Sequence, residues 1–355
     1  MAPEVQWKHA SEIFGRGYSV IINGISLNDI FQGRLNNSYF LSSISAICER
    51  PNRIYRILLT QSYSHEGIYA IALNYCRVWR KVHIDSYFPT AFSDHLYCAR
   101  TPDAELWVMI LEKAYAKLHK GYWNIGHSGF AHNALKDLTG APAEEIDMTE
   151  DKEELWSSLM EADGNDYIMV TRTKKRSEDV KGLVGGHDYT LIGVHVINGE
   201  KVVELRNPYG EGEWEGPWGD EGSKWTSNLK NKYHPGGARD DGRFFMSYDN
   251  YLKYYESLSF CYYENDFILS SFYDELEEEV VGCYQASVGA AGDYYVCLSQ
   301  EDANAFYDPE YKDERKFERF FTQNSFRNVK NLEFKIFHHF KNCLFFQENQ
   351  KIWRD

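Results

Sequence analysis

HDYTLIGVHVINGEKVVELRN, residues 187–207, sets two runs of strand-forming residues around Asn198-Gly199. Asn-Gly accepts positive φ at both central positions of a two-residue hairpin turn, whose twist matches that of the flanking strands. The stretch therefore predicts antiparallel strands at 187–197 and 201–206 that bring the chain back to its starting end. His187 opens the first strand and Asn207 ends the second. A strict two-residue turn sets Asn207 opposite Thr190, on the wrong face for His187, because side chains alternate across a strand. A bulge or a longer turn is needed for the two side chains to meet.

Outward from the hairpin, YIMVTRT (167–173) reads as another strand, and the charged KKRSEDVKG between them reads as a solvated loop. Residues 208–242 are rich in Gly, Pro, Trp and Asp and read as a long ordered loop, followed by strand RFFMSY and helix DNYLKYYES. The first half has a different period. In SYFLSSISAICER (38–50), Phe40, Leu41, Ile44 and Ile47 fall at helical spacing behind Asn and Ser residues that can cap a first turn, and Pro51 marks the end. Residues 65–90 read as strands closed by Pro89. AELWVMILEKAYAKLHK (104–120) carries Leu106, Ile110, Ala114 and Leu118 on one face, with Asp103 as cap and Gly121 as stop. A shorter helix follows at 129–138. Beyond 265 the acidic run Asp274–Glu279, a strand signal at 294–300 and an aromatic-basic tail (326–355) set off a third region.

The chain has 355 residues, 43% of them hydrophobic, enough for two or three cores. A net charge of −15 argues against nucleic acid and anionic membrane as partners. Seven scattered cysteines, none in C-x-x-C, fit free thiols in a reducing compartment. MAPEVQWKHASEIF has no apolar segment of a secretory signal, and no apolar run approaches the roughly 18 residues needed to span a bilayer. A cytoplasmic protein with no membrane span is the expectation.

Singly, Ser38 fits a helix cap, His187 a structural histidine and Asn207 a turn residue before Pro208. Together their spacing says more. His187 and Asn207 lie 149 and 169 residues after Ser38, near the histidine and asparagine separations of papain-like cysteine proteases.

Five segments resemble the protease core of the calpain family: QGRLNNSYFLSSISAICERP (32–51), VWRKVHIDSYFPT (78–90), ELWVMILEKAYAKLHKGY with ALKDLTG (105–140), GLVGGHDYTLIGV with LRNPYGEGEWEGPWGD (182–220), and DDGRFFMSYDNYLKYY (240–255). They span about residues 10–265 in the family's order. The resemblance implies an α+β fold with two papain-like subdomains, helical over 1–120 and β-rich over 121–265. It implies that 266–355 is a partial C2-like β-sandwich or a divergent tail. It places Ser38 where the family has its nucleophilic cysteine, His187 on the general base, Asn207 on its orienting residue and Gln32 on the oxyanion donor.

A thiol at a helix N-terminus is pushed toward thiolate and pairs with imidazolium. A serine hydroxyl is too weak an acid for that design and needs a base supported by a buried carboxylate, whereas Asn207 is an amide. The chain also has Asn36-Asn37 where the family has Gly-Asp, and Tyr39 and Tyr209 where it has Trp. The expectation is a pseudoprotease whose cleft still takes a peptide or protein. Two other readings stay open: an active calcium-dependent endopeptidase lineage in which Ser38 is engineered or atypical, and a structural component of a larger assembly.

The resemblance also implies calcium. For a first site it gives Asp29, Glu112 and carbonyls near Ile22 and Gly24; for a second, Glu213, Asp220, Asp241 and the carbonyl of Arg239. Arg243 stands where the family has a further carboxylate, which puts the second site in doubt. A regulatory subunit is not identifiable from the sequence.

Overall fold

The computed structural model describes residues 5–265 except 92–94, 128, 149–150, 176–180, 235–236 and 238, together with the backbone of six strands between 282 and 352. Contacts divide the chain into two compact units, Met1–Tyr75 with Trp79–Leu269, and Cys76–Val78 with Ser270–Asp355.

In the first unit the order is β1 (Gln6–His9), α1 (Ala10–Phe14), α2 (Ser38–Ile47), α3 (Pro51–Ile57), β2 (Ile68–Tyr75), β3 (Val78–Asp85), β4 (Tyr87–Ala91), β5 (His95–Leu96), α4 (Trp107–Leu118), α5 (Tyr122–Ile125) and α6 (Ala131–Thr139). Then come β6 (Ala143–Asp147), α7 (Lys152–Gly164), β7 (Ile168–Thr173), β8 (Asp188–Ile197), β9 (Glu200–Arg206), α8 (Ser227–Tyr233), β10 (Arg243–Ser247), α9 (Tyr248–Tyr254) and β11 (Tyr255–Cys261). The expected α+β class holds. The last six strands of the first unit form one antiparallel sheet in the order β10-β9-β8-β7-β11-β6.

Helix α2 is buried along its whole length, the serines included. It packs against α6 on one side and β7 and β8 on the other. Its serines are satisfied internally: Ser43 Oγ donates to the Tyr39 carbonyl (2.6 Å) and Ser42 Oγ to the Asp188 carbonyl (2.7 Å). Phe40, Leu41 and Ile44 join Trp107, Ile110, Leu111 and Leu135 in the first core. A second core gathers Trp156, Leu159, Tyr189, Leu191, Val203, Leu205, Trp214 and Phe244. Ala131, Ala134, Leu135 and Leu138 of α6 belong to the first core, as do Ile168 and Val170 of β7 and Cys261 of β11.

The hairpin turns at Asn198 (φ 51°) and Gly199 (φ 83°). Its register shifts once, between Leu191 and Gly193, leaving Ile192 as the extra residue of a bulge. Before the bulge Thr190 pairs with Arg206, so Asn207 falls level with Tyr189 and shares a face with His187.

Elsewhere local chemistry differs from expectation. Pro51 does not simply end a helix; it is the first residue of α3, where a missing N–H costs nothing. The start of α4 is held by the backbone carbonyls of Ser19 and Val20, which accept from Leu106 and Trp107, rather than by Asp103. Helix α7 was not anticipated, although Leu155, Trp156, Leu159 and Ala162 form its buried stripe and Asp151 caps it. Strands β6 and β11 and the short α8, within the presumed loop 208–242, were also not anticipated.

In the second unit β12 (Gly282–Ser287), β15 (Glu333–His338), β16 (Phe345–Glu348) and β17 (Lys351–Ile352) form an antiparallel sheet, and β13 (Gly292–Cys297) pairs with β14 (Gln323–Val329). The acidic run 274–279 lies outside the described residues.

Candidate active site

The bulge at Ile192 delivers the expected contact: His187 Nε2 lies 2.9 Å from Asn207 Oδ1. The amide orientation is fixed by its other bonds. Asn207 Nδ2 donates to the carbonyls of Glu211 (3.0 Å) and Gly212 (3.1 Å), and Oδ1 also accepts the Tyr209 N–H (3.1 Å). Oδ1 therefore faces the ring, so Nε2 carries the proton and Nδ1 the lone pair. The Tyr209 ring covers the imidazole at 4.5 Å between centroids, taking the place of the tryptophan expected there. His187 is 3% exposed, and burial, with Arg172 adding to it, lowers its pKa to about 4 despite the Asn207 bond. At neutral pH the imidazole is uncharged.

Ser38 opens α2 within the same unit, yet its hydroxyl does not bond His187. Oγ donates to Asp188 Oδ2 at 2.9 Å and accepts the Asp188 backbone N–H at 3.2 Å. Asp188 is the residue after the histidine and lies 150 residues from Ser38 in the sequence. Its Oδ2 also meets Arg172 Nη1 at 3.3 Å. Burial raises the Asp188 carboxyl to about 6, opposed by Arg172 and the Ser38 hydroxyl. The signal was present in the sequence, since a carboxylate beside the presumed base is conspicuous, but its partner could not be read there.

Gln32 is buried, and its Nε2 donates to the Leu35 carbonyl at 2.7 Å. Its backbone N–H bonds the Pro208 carbonyl (2.9 Å), tying the segment before Ser38 to the one after Asn207. Tyr39, in place of Trp, is buried and donates from its hydroxyl to the Ile125 carbonyl at 3.2 Å. Asn37 is buried, and its Nδ2 donates to Glu112 Oε1 at 2.8 Å.

That last bond involves a residue of the first calcium set. Glu112 is fully buried, and its second oxygen accepts the Ala99 N–H at 2.9 Å, so it anchors the segments around Ser38. A carboxylate beside Asp29 is Glu105, seven residues before Glu112 and ahead of α4, which accepts the Ile22 N–H. Burial raises Glu105 to about 7, and the Asp29 charge adds to the rise; Asp29 itself is raised chiefly by burial. Buried Glu105 and partly buried Asp29, both pushed up, form a hard-oxygen donor pair of the kind a calcium ion takes. Gly24 sits nearby in the chain with φ 95°.

In the second set Glu213 is raised to about 8 by burial and by Asp220, with Asp241 adding, and Asp220 is raised to about 6 by burial, with Asp241 adding. One Glu213 oxygen accepts the N–H groups of Asp241 and Gly242 at 3.0 Å each, and Asp220 Oδ1 is buried without a hydrogen bond. These donors also suit a hard cation. The guanidinium of Arg243 bonds Glu204 on the neighbouring strand, which His195 also meets at 2.9 Å. Among the described residues no three His, Cys, Asp or Glu side chains close into a metal-binding group, so backbone carbonyls would have to complete either set.

Comparison with known proteins agrees with the geometry. A family model for the calpain family cysteine protease matches residues 1–262. The chain is 33% identical over 249 residues to Calpain-type cysteine protease ADL1 of Oryza sativa subsp. japonica, covering 67% of this chain and 11% of the relative. It is 30% identical over 272 residues to Calpain-13 of Rattus norvegicus, covering 73% of this chain and 41% of the relative. With Calpain-5 of Mus musculus it shares 28% over 305 residues, 76% of this chain and 47% of the relative. The matches thus span less than half the length of these relatives. Among the described residues no helix is long and apolar enough to cross a membrane. Through residues 1–262 the chain belongs to the calpain family of cysteine proteases.

Proposed function

We propose that this calpain-family chain is a catalytically silent protease core that uses its cleft to bind an extended peptide or a protein segment. The observation that carries the reading is the Ser38 hydroxyl, which donates to Asp188 at 2.9 Å while His187 is neutral and bonded to an amide. Serine chemistry needs the hydroxyl proton handed to a histidine whose developing charge a carboxylate supports; replacing that carboxylate by its amide costs about four orders of magnitude in rate. Here the hydroxyl points its proton elsewhere and the imidazole partner is an amide.

Calcium suits the carboxylates at both sets. Asp29 and Glu105 would hold one ion and Glu213, Asp220 and Asp241 another, each supplying negative oxygen to a hard cation. A bound ion would neutralise carboxyls that burial leaves poorly compensated.

The decisive test is turnover of a casein-type substrate with and without calcium, against Ser38→Ala. Equal, background-level cleavage by both chains supports the reading; calcium-dependent cleavage lost in Ser38→Ala overturns it. The intact His187–Asn207 pair supports a second reading, an active lineage in which only the atom at position 38 differs. Ser38→Cys alone restoring turnover would favour that one.

A further inference from the structure

We propose that Asp188, and not the loss of sulfur alone, keeps this site silent: its buried carboxylate captures the proton donor at position 38 and would hold a thiol placed there in its neutral form. The inference rests on the pseudoprotease reading and names the residue that enforces it.

The geometry leaves Ser38 no freedom toward His187. Its Oγ donates to Asp188 Oδ2 (2.9 Å) and accepts the Asp188 N–H (3.2 Å), so side chain and backbone of one residue hold it from both sides. Asp188 is itself fixed. Its carbonyl accepts the Ser42 hydroxyl (2.7 Å), one turn along α2, and the Thr190 hydroxyl donates to the Ser42 carbonyl (2.9 Å). The start of α2 and the start of β8 are therefore stapled together through the side chain and backbone of Asp188 and the backbone of Ser42.

Arg172, 3.3 Å from Oδ2, favours the ionised Asp188 carboxyl, and the Ser38 hydroxyl bond acts in the same sense, whereas burial and the charges of Glu145 and Glu256 oppose it. Glu256 lies 4.0 Å from the same guanidinium. His187 is neutral and supplies no opposing cation. A thiolate at 38 would be a second buried anion in contact with a carboxylate, and two such groups do not both ionise. The helix terminus favours a thiolate by at most about 1.5 pKa units at a buried position. The contact with the carboxylate acts in the opposite sense and is the larger effect.

The test uses the full chain with Ser38→Cys, alone and combined with Asp188→Asn or Asp188→Ala. Iodoacetamide alkylation of residue 38 is followed against pH by peptide-resolved mass spectrometry, which separates it from the seven native cysteines. We expect the single variant to ionise above the ordinary thiol value of about 8.5 and to leave peptides uncleaved. Adding Asp188→Asn should lower that pKa by about two units and speed alkylation at pH 7 roughly tenfold, since the gain in thiolate exceeds the fall in nucleophilicity. Thermal unfolding of each variant checks that it folds, and Asp188→Ala repeats the measurement should the amide pack badly.

An identical pKa in all three variants, or a single variant already ionised below pH 7, overturns the proposal. Failure of the pseudoprotease reading is separate, because it shows in the unaltered chain as Ser38-dependent cleavage. If Asp188→Asn abolishes such cleavage, Asp188 serves as the base for Ser38 and both readings fall.

Discussion

Asn37 Nδ2 and Glu112 Oε1 lie 2.8 Å apart in the interior, joining the residue before the presumed nucleophile to the middle of α4. Glu112 also accepts the Ala99 N–H, so one carboxyl group holds three segments of chain. Its removal leaves two buried donors without a partner and opens a cavity. Glu112→Ala should cost about 2–4 kcal/mol, read from the urea midpoint at constant m. Glu112→Gln keeps the volume and the Asn37 bond and should cost less than half as much. A surface-like effect under 0.5 kcal/mol for the alanine variant would contradict the assigned role.

Calcium titration by calorimetry separates the candidate ligands. Asp29→Asn and Glu105→Gln should each abolish or weaken the first-site heat by at least about tenfold, because each removes one of two charged oxygen donors. Glu112→Gln should leave it unchanged. The reverse pattern would restore Glu112 as the ligand.

Arg243→Ala offers an independent check on the second set. The guanidinium is taken up by Glu204, a nearly buried carboxylate whose other partner is His195. The variant should lose about 1–2 kcal/mol of stability, since Glu204 keeps one partner and the arginine is partly exposed. The number of calcium ions bound should not change. A gained ion would show that the arginine does oppose the site.

The pH dependence of His187 has a definite sign. Its folded pKa of about 4 is below the unfolded value of about 6.5, so the unfolded chain binds the extra proton between them. This group's stability contribution is present above pH 6.5 and is lost as pH falls toward 4. NMR titration of the ring should show it neutral at pH 6. Asn207→Asp, which replaces the amide by a charge at 2.9 Å, should raise that pKa by at least one unit.

Gly199 gives a clean measure of turn conformation. A Cβ there meets nothing within 4 Å, but φ is 83°, so Gly199→Ala should cost about 1 kcal/mol from backbone strain alone. At Gly182 (φ 82°) an added Cβ would sit 1.9 Å from the Glu213 carbonyl oxygen, and Gly182→Ala should be far more damaging. Equal midpoints for the two variants would refute this ranking.

What the sequence determined by itself was local. The Asn-Gly turn, the apolar faces of α2 and α4, and the hairpin that joins His187 to Asn207 all follow from residue periodicity and turn chemistry, which act between near neighbours. Even the need for a bulge could be deduced, because a period of two permits only one face. Its position at Ile192 could not, since many residues can absorb a one-residue slip. The Ser38–Asp188 contact joins residues 150 apart, and the choice between Glu105 and Glu112 turns on which face of α4 and its lead-in meets Ile22 or Asn37. Carboxylates look alike along a chain. Packing decided which of them met a hydroxyl, an amide or another carboxylate, because burial and the partner within 3 Å set what each charge can do.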